Sequence, residues 1–211
     1  MQTLLVANAK GGSGKTTLAT HAAGWLACGR QRVALQDEDS QRSASCWLAR
    51  RPPPFPKIEM LKPGTSRKEA REQGLAWRVI DSPAGLHGER LRDLIRQADS
   101  LLVPLSPSAF DMEATQAFLD AVAEDKTVRE KKLSVALVAM RVDARTRSAQ
   151  ELDEFLYGFE FPLIAHLRET QVYIHCARDG LTLFDLPPSR GKQDWEQWAP
   201  ITKWLRQNQE R

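Results

Sequence analysis

Short apolar runs recur along this chain, and most are followed by a segment in which apolar residues return every three or four positions. The runs predict strands over 3–8, 32–37, 57–61, 75–81, 100–105, 133–141 and 161–166. The periodic segments predict helices over 15–28, 42–50, 88–98, 112–124, 147–157, 170–178 and 194–208. Runs such as Leu4-Leu5-Val6-Ala7 are apolar throughout, as strands covered on both faces are. Strands and helices in turn predict an α/β fold: a mostly parallel, twisted sheet with helices on both faces. A chain of 211 residues can bury one sizeable core, so we expect 1–211 to be a single domain. The proline-rich piece Pro52–Pro56 is expected to be a stiff connector to the strand after it.

The first strand runs into Lys10-Gly11-Gly12-Ser13-Gly14-Lys15-Thr16-Thr17, and a helix follows. Strand, glycine-rich turn and helix, in that order, make a phosphate-binding loop. Glycines let the turn wrap an anion, and successive backbone N–H groups point inward. The helix adds its unpaired N–H groups and the positive end of its dipole. Gly11 through Thr17 are therefore candidate nucleotide-binding residues. Lys15 is expected at the β/γ-phosphates and the Thr16 hydroxyl on Mg²⁺.

Ala9 stands where the usual loop has its first glycine, and Lys10 comes next. KGGSGKT resembles the deviant Walker A motif of the ParA/MinD family of ATPases. The resemblance implies a P-loop NTPase of the deviant Walker A type that uses ATP and Mg²⁺. It also implies an ATP-dependent homodimer in which Lys10 crosses to the other subunit's ATP. Two further segments agree. Gln36-Asp37-Glu38-Asp39-Ser40-Gln41 ends a short apolar strand in carboxylates, which a parallel sheet places beside the ligand. It resembles the family's DxDPQ, with Ser40 for proline; by that match Asp39 orients the attacking water and Asp37 supports the Mg²⁺ shell. By the residues alone, an acidic turn capping the helix near Ser43 is the other possibility. Trp77–Gly85 resembles the family's Walker B and switch II segment, DxPxG, with Ala84 replacing a second proline. Asp81 would hold Mg²⁺, mostly through water, and Gly85 would let the loop swing.

Weaker likeness continues through Pro107-Ser108-Ala109-Phe110-Asp111, where Asp111 also suits a helix N-cap, and through Asp143–Arg147. Met140-Arg141 stands where similar families often carry Asn-Arg. No domain-sized segment precedes the loop, so no helix-turn-helix of the longer ParA proteins is expected.

Cys28, Cys46 and Cys176 lack metal spacing, and His21, His87, His166 and His175 are scattered. A family reductase that shares an iron–sulfur cluster needs paired cysteines and is excluded. Net charge is +3, and ten basic residues are spread from Arg141 to Arg211. Arg168, Lys203 and Arg206 are candidate contacts to DNA, binding phosphates without reading sequence. In the C-terminal segment Trp195, Trp198, Thr202 and Leu205 share one helical face, with Ile201 beside it. Pro200 is expected to interrupt that helix, and packing on the sheet is expected over stable membrane association.

The resemblance implies a cytoplasmic, nucleoid-associated ATPase for plasmid or chromosome segregation. ATP drives the dimer onto DNA, and a centromere-binding or cargo adaptor protein stimulates hydrolysis and release. The alternatives are positioning of a protein cargo, a MinD-like membrane switch, and an ATP-dependent synthetase of the same superfamily.

Overall fold

This computed structural model describes residues 1–130, 132–143 and 145–209, without the side chains of residues 109–111 and 157. The described strands are β1 (Gln2–Val6), β2 (Val33–Asp37), β3 (Glu59–Leu61), β4 (Trp77–Asp81), β5 (Ser100–Leu105), β6 (Ser134–Met140) and β7 (Leu163–Leu167). They lie in the order β3-β2-β4-β1-β5-β6-β7, every pair parallel. Between them run α1 (Lys15–Cys28), α2 (Ser43–Ala49), α3 (Arg67–Glu72), α4 (Gly88–Gln97), α5 (Ala109–Glu124), α6 (Lys126–Arg129), α7 (Arg147–Tyr157) and α8 (Gln171–Asp179). A 3₁₀ turn at Leu183–Asp185 and α9 (Pro188–Gln209) follow. The fold is the expected α/β sheet, with strand ends shifted by a few residues.

Apolar runs without alternation make sense once each strand is seen between two cores. Leu4 and Val6 of β1, with Ala136, Val138 and Met140 of β6, join one core with α1 and α9. Leu5 of β1, with Val135, Leu137 and Ala139 of β6, joins the other with α4, α5 and α7. The period-two alternation is present, but both faces are apolar.

Three details depart from expectation. First, α3 and α6 were not expected; both are short, and the Ser66–Glu69 capping box starts α3 while Asp125 caps α6. Second, Ser108, extended at φ −136°, takes the cap position of α5. Asp111 therefore lies inside the helix rather than capping it. Third, α9 starts at Pro188, well before residue 194, and runs through Pro200. A proline inside a helix removes a hydrogen bond and costs about 3 kcal/mol. Trp198, Ile201 and Leu205 around it are all 0 % exposed. Burial at roughly 1.5–3 kcal/mol per side chain outweighs that loss.

His21 of α1 is buried between Trp198, stacked at 5.7 Å, and the edge of Tyr173 at 5.1 Å. Its Nδ1 lies 2.9 Å from the Thr17 carbonyl oxygen, so Nδ1 carries the proton and donates. Burial pushes its pKa down from 6.5 to about 4. Between those values the unfolded chain binds a proton that the folded chain refuses. Stability should therefore fall as pH drops through that window, by up to about 3 kcal/mol, and the term should vanish above it. Thermal melts from neutral to acid pH would show the slope. His21→Gln, which keeps a donor for Thr17, should flatten it; an unchanged slope would assign it to other groups.

Candidate nucleotide site

The chain leaves β1 at the carboxyl edge of the sheet and turns through residues 8–14 into α1. Gly14 caps α1 at φ +98°, and a Cβ there would lie 2.8 Å from Met140 Cε. The backbone angle demands glycine, while the Met140 methyl is the end of a flexible side chain that can move aside. No side chain caps α1 and no acid lies in its first turn, so its leading N–H groups are available to an anion.

The loop is held at several points. Asn8, 0 % exposed, accepts from the Lys10 N–H at 3.0 Å. Its amide donates to the Pro104 carbonyl at 2.8 Å and to Thr115 Oγ1 at 3.0 Å. Lys15 Nζ donates to the Lys10 carbonyl at 2.8 Å. Burial lowers the Lys15 pKa, while Asp81 and Asp39 hold it up. Arg141, in the left-handed region at φ +56°, donates from Nη2 to the Gly12 carbonyl at 2.7 Å and to Ser106 Oγ at 2.8 Å. The Gly85 N–H donates to the Ala9 carbonyl at 2.7 Å, which joins the second loop to the first.

The expected acids sit beside this loop in different roles. Asp81 is 1 % exposed, and Thr16 Oγ1 donates to its Oδ2 at 2.7 Å. Its Oδ1 is buried without a hydrogen-bond partner. Burial raises its pKa to about 7; Thr16 opposes the rise and Asp37 adds to it. An orphaned carboxylate oxygen that resists ionisation fits a hydrated Mg²⁺, which would supply the missing positive charge. Among the described residues no cluster of three His, Cys, Asp or Glu could hold a metal. That suits an ion whose remaining ligands are phosphate oxygens and water.

Asp37 pairs in register with Asp81 across β2 and β4, but both its oxygens are committed. Oδ1 accepts from the Asp39 N–H at 3.1 Å, and Oδ2 accepts from the Ser45 N–H and Oγ, both at 2.8 Å. The helix-capping possibility is thus realised at Asp37, whose carboxylate stands in register beside Asp81. Asp39 lines the cavity in front of the loop, with Oδ1 accepting from the Gln41 N–H at 2.9 Å.

That cavity has a volume of about 530 Å³. Gly11, Gly12 and Gly14 through Thr17 form one end, and Met140, Arg168, Tyr173 and Ile174 contribute to its walls. The sequence carries no local signal for Asn8, which lies in the turn itself, or for Tyr173 and Ile174, which the fold brings in from a distant segment. Arg168, expected among the DNA contacts, faces this cavity with its guanidinium on Asp194. Lys203 is exposed on α9, and Arg206 lies over the Trp25 ring at 5.3 Å. No described helix is long and apolar enough to cross a membrane.

Phosphate is the ligand this edge is built to hold, and the fold around it is that of a P-loop nucleotide-binding protein. The family model for the CobQ/CobB/MinD/ParA nucleotide binding domain matches residues 4–183, and the chain belongs to that family. It is 28 % identical over 191 residues to the maintenance of carboxysome distribution protein A of Halothiobacillus neapolitanus, covering 87 % of each chain. To the protein of the same name from Gloeobacter kilaueensis it is 30 % identical over 182 residues, covering 84 % of this chain and 82 % of that one. Among solved structures, an ATP complex of a McdA variant from Cyanothece superposes with a TM-score of 0.71 at 17 % identity, covering 96 % of each chain. At that identity the likeness concerns the fold.

Proposed function

We propose that this protein is an ATPase that distributes a protein cargo along DNA. The observation that carries the choice of cargo is the match, over more than four-fifths of each chain, to two relatives named for carboxysome distribution. Expected DNA segregation of a plasmid or chromosome becomes the second possibility. ATP seats its phosphates on Gly11–Thr17, with Mg²⁺ at Thr16 and Asp81. Asp39 orients the attacking water, because its carboxylate lines the cavity beside Lys15. Two ATP-loaded chains pair about a two-fold axis, Lys10 of each reaching the other's nucleotide. The dimer rests on DNA through exposed basic residues, Lys203 and Arg206 among them. A cargo adaptor stimulates hydrolysis and releases it.

The membrane and synthetase alternatives receive less support. Trp198, Ile201 and Leu205, the apolar face of α9, are fully spent on the core, so that face is not available to lipid. The named relatives are distribution proteins, which favours positioning over synthesis.

Fluorescence anisotropy with random duplex DNA, run with ATP and ADP across a salt series, tests the DNA step. Binding is expected only with ATP, whatever the sequence, and should weaken steeply with salt. Lys203→Glu with Arg206→Glu should weaken it further, since reversing two cations removes two phosphate contacts and adds repulsion. Absence of ATP-dependent binding even at low salt would remove DNA from the mechanism. Deleting the gene and imaging the host separates the cargoes: clustered protein assemblies support positioning, plasmid loss with evenly spread assemblies supports segregation.

A further inference from the structure

The phosphate loop fixes where one end of a nucleotide must lie, and so which walls are left for the other end. Three cations line the cavity: Lys15, Arg141 and Arg168. Lys15 belongs to the loop. Arg141 is turned to the loop as well, through the Gly12 carbonyl. Arg168 is different. It follows β7, and its N–H donates to Gln197 Oε1 at 3.0 Å. Its Nε donates to Asp194 Oδ1 at 2.8 Å, and Nη2 to Oδ2 at 3.3 Å. The Asp194 side chain is 1 % exposed, whereas the Arg168 side chain is 35 % exposed. The carboxylate is therefore sunk in the protein and the guanidinium stands at the surface of the cavity. Both bonds lie in the plane of the guanidinium, so they fix its orientation without covering its faces. Tyr173, on the same wall, is held in the same way by α9: its hydroxyl accepts from Trp198 Nε1 at 2.9 Å.

We propose that Arg168 is a nucleotide-binding residue that stacks its guanidinium plane on the base, with Asp194 of α9 as the residue that positions it. The surrounding wall agrees, because Met140 and Ile174 offer apolar surface to the flat faces of a base. Ile174 is 57 % exposed, more than any other large apolar side chain among the described residues, and a bound base would cover it. The assignment rests on the nucleotide reading of the cavity and moves Arg168 from the DNA surface to the ligand.

The test compares ATP with inorganic tripolyphosphate, which has the phosphates and no base. Affinities for both are measured by calorimetry for wild type, Lys15→Ala, Arg168→Lys and the double variant Arg168→Gln with Asp194→Asn. The lysine keeps a cation on the buried Asp194 but has no plane to stack. The double variant removes both charges, so neither is left buried and unpaired. Both Arg168 variants should lose about tenfold in ATP affinity and keep wild-type affinity for tripolyphosphate. Retained tripolyphosphate binding also shows that the loop is folded. Wild-type affinity for ATP in the lysine variant, or equal losses for both ligands, would overturn the stacking assignment. Wild type binding neither ligand would instead remove the nucleotide reading itself, and Lys15→Ala marks what loss of that site looks like.

Discussion

Lys15→Ala is expected to abolish measurable ATP binding. The ammonium is the loop's own cation, and a charge-assisted hydrogen bond to phosphate contributes about 1.5–3 kcal/mol, so affinity should fall by at least about a hundredfold once its Coulombic attraction is lost too. In the present geometry Lys15 Nζ donates to the Lys10 carbonyl. Entry of phosphate should draw it off that carbonyl, which replaces a neutral acceptor with a charged one. The fold should survive the change, since alanine suits the first turn of α1 and the lysine's burial already disfavours its charge. Calorimetry with ATP, beside a thermal melt, checks both halves. Asp39→Ala provides the contrast: binding kept, turnover lost. Equal ATPase rates in wild type and Asp39→Ala would take Asp39 out of the mechanism.

Lys10→Ala should bind ATP and stay monomeric. The backbone of Lys10 is pinned on both sides, its N–H by Asn8 and its carbonyl by Lys15, so the side chain starts from a fixed point. In a two-fold dimer the contact is made twice, and losing both should weaken dimerisation by at least about a hundredfold. Sedimentation of wild type should show a monomer-to-dimer shift with ATP or a slow analogue and none with ADP. A Lys10→Ala protein that dimerises as well as wild type would sink the cross-subunit role.

The cargo is the part of the function on which sequence motifs are silent. Nucleotide chemistry depends on a loop and a few acids, whereas cargo choice lies on the outer surface. Relatives named for carboxysome distribution therefore weigh more here than any motif.

The alternation of strands and helices, the layers and the phosphate loop were legible in the chain because each rests on short-range pattern, whereas the strand order β3-β2-β4-β1-β5-β6-β7 came only with the tertiary structure. A short apolar run with no polar alternation, followed by a periodic segment, fits a strand covered on both faces, and the glycine-rich run before Lys15 fits a turn into a helix. Asp81 was legible for the same reason, as the acid that ends a buried strand. The short helix α3 was legible in principle through Ser66 and Glu69, but six residues carry too little periodicity to announce themselves. What only the tertiary structure decided lies between residues far apart in sequence. Asp37 has spent its oxygens on Asp39 and Ser45 because β2 delivers the chain directly into α2. Pro200 sits inside a helix because the sheet beneath α9 offers more burial than the missing hydrogen bond costs. Arg168 faces the nucleotide cavity because Asp194, 26 positions later, is buried beside it. A lone arginine in a sequence carries charge but no direction; a buried carboxylate supplied by another element aims it.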